Sequence, residues 1–303
     1  MLSLSQLEVG QHRNGDSGMP PEPPEDFDMA KFNRGRWFFR NNIYSCTTAM
    51  FFSLIIGMNI PEFLEALIFT DASNTPKKAF KRYLFTYGHV LKWHYGDIWE
   101  KGSESQKSIL IVRSMHDRVR EKMSEHFGER ERKFLSQYDM GVVLSGFMGS
   151  VIMYPNYVGI HCTKSDLDDY VYFWYGVGHM LGIEKEFNIC AHGFEQAFTF
   201  CKDIERVVYE NMKKPPAELS MMSGALLQSI SQGRSLTLFT YPAMSALSVD
   251  LMEKKRLVAL SIPDVIRYNI LNFVFFIIRH FSPLRTLLNK GIEKVHGLTF
   301  VNV

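Results

Sequence analysis

His116 is the residue whose type and position most invite chemistry. Ile109, Val112, Val119 and Met123 surround it at helical spacing, and a polar ring inside that apolar stripe needs a partner. Arg113 lies one turn before it. An inward imidazole beside an arginine suits a haem pocket, where histidine ligates the iron and arginine meets a propionate or helps to position oxygen. The residues alone leave a second reading open, a core histidine hydrogen-bonded to a neighbouring helix.

Other polar residues compete for the same role. His89 and His94 belong to a helix beginning near Pro76, and His94, fourteen residues after Phe80, returns close to that helix's apolar face, which makes it a further ligand candidate. His179 falls on the side opposite Trp174 and is expected to meet another helix or solvent, while His161, in a loop, is expected to hydrogen-bond a turn. Gly176, Gly178 and Gly182 sit inside a helical pattern without the preceding strand that a phosphate-binding fingerprint requires, so they are read as close-packing points. Glu293 and His296 form a single Glu-x-x-His pair, short of the two that a di-iron bundle needs. Asp139 reads as a helix cap. Asp97 and Glu100 are either a pocket's acid or base or a solvated helix end. No GxSxG or HExxH run supports a hydrolase or a metalloprotease.

These residues must be positioned by helices. Thr75-Pro76 starts one that continues through Phe80, Leu84, Tyr87 and Leu91. Ser103 to Gln106 forms a capping pattern before the His116 helix, and Ser136 to Asp139 opens a helix through Met140, Val143, Phe147 and Val151 that is apolar nearly all round and therefore central. Leu167 to Leu181 and Cys190 to Val208 repeat the pattern. No stretch alternates long enough for a sheet, so the fold class is all-α: one multi-helix, bundle-like domain over residues 30–303. Residues 1–29, with GDSGMPPEPPEDFD, read as a disordered leader. The Lys213 to Pro216 break reads as a turn within the domain, because the apolar stripes after it need a partner surface.

Composition narrows the partners. With 34 basic against 32 acidic residues and no basic tract, nucleic acid is excluded as a partner. The four cysteines form no CxxC pair, which points to a reducing, intracellular compartment, and the first residues lack the pattern of a secretory signal. Residues 41–61 carry no charge; they are read as a buried core helix, with a membrane span as the alternative. Val265 to Phe281, interrupted by Arg267 and Arg279, reads as a core or interfacial helix.

Four runs then occur in order: RYLFTYGHVLKWHYGDIW from Arg82, VRSMHDRVR from Val112, LSQYDMGVVLSGFMG from Leu135 and YFWYGVGHMLGIEKEFNIC from Tyr172. Together they resemble the rubber oxygenase (latex clearing protein)/mpaB catalytic domain, most clearly over residues 30–210. The resemblance implies an α-helical haem b oxygenase that uses molecular oxygen to cleave carbon–carbon double bonds of a hydrophobic, isoprenoid-like substrate. It also implies association with the endoplasmic reticulum membrane, by peripheral or integral contact. In the rubber-cleaving members an arginine precedes by three residues the distal iron ligand, a lysine followed by threonine. Arg113 and His116 match that spacing, and Asp117 stands where the threonine is expected. The resemblance further implies a proximal histidine about thirty residues on. Here, however, no histidine lies between His126 and His161. The alternative function is a non-catalytic helical protein that keeps the fold to bind lipid or a partner.

Overall fold

The computed structural model describes residues 4–231 and 238–297, and among them there is no strand. The helices among the described residues are α1 (Leu4–Glu8), α2 (Met29–Asn41), α3 (Ile43–Gly57), α4 (Pro61–Phe69), α5 (Pro76–Tyr95), α6 (Glu104–Phe127) and α7 (Gln137–Met153). They continue with α8 (Lys164–Met180), α9 (Gly193–Met212), α10 (Leu219–Ser231), α11 (Tyr241–Leu251), α12 (Ile262–His280) and α13 (Ser282–Val295). Several begin where the sequence signals a cap. Thr75, Ser103 and Ser136 each accept a backbone N–H from the first turn, and the boxes Ser136/Asp139 and Thr163/Asp166 are reciprocal. At Ser103 the box closes differently, with Gln106 Oε1 accepting the N–H of Gly102 at 2.8 Å.

The centre is α8, whose Tyr170, Phe173 and Trp174 are fully buried. α2 lies against it so closely that a Cβ on Gly35 would stand 2.2 Å from the Asp169 carbonyl oxygen. Arg34 donates to both Asp169 oxygens at 2.7 and 3.0 Å, and Lys31 pairs with Asp168, fixing this contact from its rim. α8 also packs on α6, α7 and α9, and α7 packs on α3. α6 and α7 do not pack along each other; they face each other across a cavity. After the Lys213 to Pro216 break the chain returns to the same core, with α10 on α5 and α11 on α3.

Residues 41–61 form α3 and the bend into α4. Ile43, Cys46 and Ile55 are fully covered, as α3 packs on α7, α11 and α13. Among the described residues no single helix is long and apolar enough to cross a membrane; only α3 and α4 taken together pass on length and composition, and they are bent by 93°.

The leader departs from the disorder expected of its composition. Leu7 is buried in the core, Phe27 packs on Phe32, Trp99 and Tyr172, and the leader's polar groups find partners along the domain. Arg13 pairs with Glu184 at 2.9 Å, the Ser17 N–H donates to the Gly182 carbonyl at 3.0 Å, and the Asp28 N–H donates to Tyr172 Oη at 2.8 Å. Gly182 (φ +89°) lies close enough that a Cβ there would meet Asp16 Oδ1 at 2.5 Å.

α12 turns only a narrow stripe inward, Leu271, Phe275 and Ile278. Its outer stripe is apolar as well: Ile262, Phe273 and Phe276 are 80%, 62% and 58% exposed. That is unusual for an amphipathic surface helix.

Candidate functional site

The cavity between α3, α5, α6 and α7 measures about 1210 Å³. Phe51 and Leu54 of α3, Val119 of α6, and Val143 and Phe147 of α7 give it an apolar wall. α5 and α6 form an antiparallel pair, registered where Ser108 Oγ lies 2.6 Å from His89 Nδ1 and accepts from Trp93 Nε1 at 3.1 Å. From that point α5 runs back to Arg82 and α6 runs on to His116, so these two side chains reach the same level of the wall.

His116 lines this cavity, as its place in the apolar stripe suggested. The accessible surface it retains is cavity wall, for the residue lies deep within the protein. The acceptor expected for its second nitrogen is absent: Nδ1 is buried without a partner. Burial first, then the nearby charges of Arg120 and Arg82, lower its pKa to about 4. The imidazole is therefore neutral at physiological pH, the form that offers a lone pair to a metal.

Arg82 and His89 share the wall with His116 from the α5 side, and neither stood out in the sequence. Arg82 donates to Thr70 Oγ1 and pairs with no carboxylate among the described residues. Burial lowers its pKa, opposed in part by the neighbouring Tyr83 phenol and by no carboxylate. His89 holds Ser108 through Nδ1 and leaves Nε2 buried and unpartnered. The antiparallel register sets it roughly 12 Å along the pair from His116, so the two imidazoles do not converge on one atom.

Arg113 and His94 do not belong to this wall. Arg113 points from the other side of α6 toward the leader, where Nε donates to Asp16 Oδ2 at 2.6 Å, Nη2 to Oδ1, and Nη1 to the Met19 carbonyl at 2.9 Å. One turn of spacing placed it near His116 along the axis, but three residues rotate a side chain some 60° off the stripe, enough to leave the cavity. Burial alone would raise the pKa of Asp16; its hydrogen bonds and the Arg113 charge outweigh that and hold it low. His94 is fully buried, but on the opposite side of α5, stacked between Phe39 and Phe173 at 3.7 and 4.2 Å. Its Nδ1 bonds the Val90 carbonyl at 2.8 Å. The stripe drawn through Phe80 and Leu84 was the wrong one, since both are exposed.

The remaining residues take quieter roles. His161 bonds the Arg279 carbonyl at 3.0 Å, and His179 bonds that of Glu22 in the leader at 2.9 Å. Asp139 caps α7 and pairs with Arg132. Asp97 accepts the Trp99 N–H, and Glu293 accepts from Tyr95 Oη. A Cβ on Gly176 would meet the Phe32 ring at 2.8 Å, which makes it a packing glycine. No group of three or more metal-ligating His, Cys, Asp or Glu side chains occurs among the described residues.

His94 also sets a pH response. Burial, then the charges of Arg36 and Arg40, push its pKa well below the ordinary value, against the opposing hydrogen bond to Val90. Below about pH 6.5 the unfolded chain takes up a proton that the folded state refuses, so stability falls with pH by up to about 1.4 kcal/mol per unit from this group. The melting temperature is expected to decline from pH 7 to pH 5. His94→Phe, which keeps the stack, should make that decline shallower; an unchanged slope would remove His94 from the account.

Could the cavity hold the haem that the sequence resemblance implies? Three features fit it: an apolar chamber of sufficient volume, a neutral imidazole with an orphaned nitrogen, and a buried arginine without a counter-charge. α7 would bring no histidine to such a group; its Phe147 faces the cavity and stacks on Trp174 at 5.0 Å.

Comparison with known proteins adds to this geometry. The family described as "ER-bound oxygenase mpaB/B'/Rubber oxygenase, catalytic domain" matches residues 37–255. No curated protein matches. Among solved structures, latex clearing protein in its closed state superposes with a TM-score of 0.65 at 16% identity, covering 98% of this chain and 85% of that one. At that identity the likeness shows the fold alone.

Proposed function

We propose a function for a chain that belongs to the ER-bound oxygenase mpaB/B'/rubber oxygenase family: oxidative cleavage of a carbon–carbon double bond in a hydrophobic, isoprenoid-like substrate, at a haem b held by His116. The observation that carries this reading is the neutral His116 imidazole, unpartnered in an apolar cavity of about 1210 Å³. Haem, when bound, supplies an iron centre that activates molecular oxygen, and cleavage of one double bond into two carbonyl groups consumes one O₂ with no further oxidant. The rest is work for this chain's side chains. His116 donates its lone pair without competition from a proton near neutral pH. Phe51, Leu54, Val143 and Phe147 exclude water and hold an apolar chain by dispersion and burial. Arg113 acts from outside the cavity, tying α6 to the leader.

The test is a titration of the purified full chain with haem b, followed in the visible spectrum. A saturable Soret band supports the proposal. A chain that takes up no haem but binds apolar ligands would favour the alternative, a non-catalytic lipid- or partner-binding protein. Phe147 on α7, where the resemblance leads one to expect a histidine, is the observation on that side.

Contact with the endoplasmic reticulum membrane we assign to α12 and not to α3, which is covered. The apolar outer stripe of α12 lies between Lys254 and Lys255 before it and Arg279, Lys290 and Lys294 after, all exposed and without an ion pair among the described residues. An apolar face flanked by free cations complements an anionic lipid surface.

A further inference from the structure

Arg82, half-covered on the cavity wall, is a charged group to which the proposed chemistry gives no task. It is the seventh residue of α5, near the end where exposed Lys78 and Lys81 also touch the cavity, so this end is the opening. A guanidinium withdrawn from water normally brings a carboxylate with it, as Arg113 does with Asp16 and Arg132 with Asp139. Arg82 has only the neutral hydroxyl of Thr70. Four of its five N–H donors therefore have no protein acceptor, and they belong to a residue on the cavity wall.

We propose that Arg82 is a carboxylate-binding site, which receives the acid group of a molecule whose apolar body occupies the cavity. This rests on the same cavity being the ligand site. Two molecules offer that chemistry: a haem with its propionates, or an amphipathic substrate, such as a long-chain or isoprenoid acid, entering tail first. The guanidinium fork matches either carboxylate in a bidentate pair.

The experiment uses the full chain and two pairs of probes. The fluorescent fatty acid cis-parinaric acid is compared with its methyl ester, and haem b with its dimethyl ester. The acid of at least one pair is expected to bind about tenfold to a hundredfold more tightly than its ester. Arg82→Leu should abolish that preference, and Arg82→Lys should keep part of it. A preference confined to haem assigns the site to a propionate; one confined to the fatty acid assigns it to the substrate; one in both assigns it to a carboxylate of either origin. Because the variant loses a buried charge with no counter-charge, its melting temperature without ligand should be unchanged or higher, which separates a binding role from a structural one. No acid-over-ester preference in either pair, or a preference that survives Arg82→Leu, overturns the proposal. A fatty-acid preference in a chain that takes up no haem would sustain this site while removing the haem reading.

Discussion

His116→Ala is expected to bind haem b more than about a hundredfold more weakly than the unaltered chain and to lose the Soret band of a histidine-ligated haem. Loss of an outer-sphere partner alone costs a metal site roughly tenfold to a hundredfold, and this change removes the ligand itself. The cavity offers no substitute imidazole, because its other histidine, His89, lies roughly 12 Å away along the helix pair. Free imidazole should restore the band in His116→Gly, since the truncated side chain leaves room for it beside the same iron. His161→Ala should leave the spectrum unchanged, because that ring bonds the Arg279 carbonyl in the last turn of α12, outside the cavity, and so should His94→Phe. A band that survives His116→Ala would move the iron to another ligand.

Phe273→Glu combined with Phe276→Glu should release the chain from vesicles of phosphatidylcholine and phosphatidylserine, weakening its association about a hundredfold or more. Each ring that leaves water on insertion contributes about 1.5–3 kcal/mol, and each charge buried in its place opposes insertion. Binding should also weaken with salt, since each lysine or arginine near the surface contributes about 1 kcal/mol. The pair lies on the exposed stripe, so the variant should keep its helical content and melting temperature. If α3 and α4 were the anchor, the variant would remain in the carbonate-resistant pellet. If the stripe instead joined two copies of the chain, a dimer would run on gel filtration and dissociate in the variant. Either result would refute the assignment.

Much of the helical layout could be read from particular residues. Ser136 and Thr75 announced their helices because a cap is a local event, decided within four residues. His116 was legible because a polar ring inside an otherwise apolar stripe contradicts its surroundings whatever the fold. α5 was misread for the opposite reason. Phe80, Leu84 and Phe85 are large and apolar yet exposed, while Ala79 is fully buried, so hydrophobicity alone rotated the helix away from its true face. With the face misplaced, Arg82 and His89 were passed over and His94 was favoured. The gap between α6 and α7 has no local signal at all: it follows from where α3, α5 and α8 hold them. The leader is a similar case, because its attachment depends on Glu184, Gly182 and Arg113, far along the chain.

The Asp16–Arg113 pair makes a protease-sensitive matter of the leader. The two side chains are 14% and 11% exposed, so a cut between Asp16 and the domain would leave Arg113 on α6 as a charge with little water and no partner. An ion pair broken from one side in such surroundings costs about 3–5 kcal/mol, against the 5–15 kcal/mol that holds a typical domain together. A nick between residues 17 and 28 therefore loosens α6 itself, and clipped chains should be the first to be unfolded and cleared. Turnover of the protein is thereby tied to a segment that reaches the cavity wall only through Gln11.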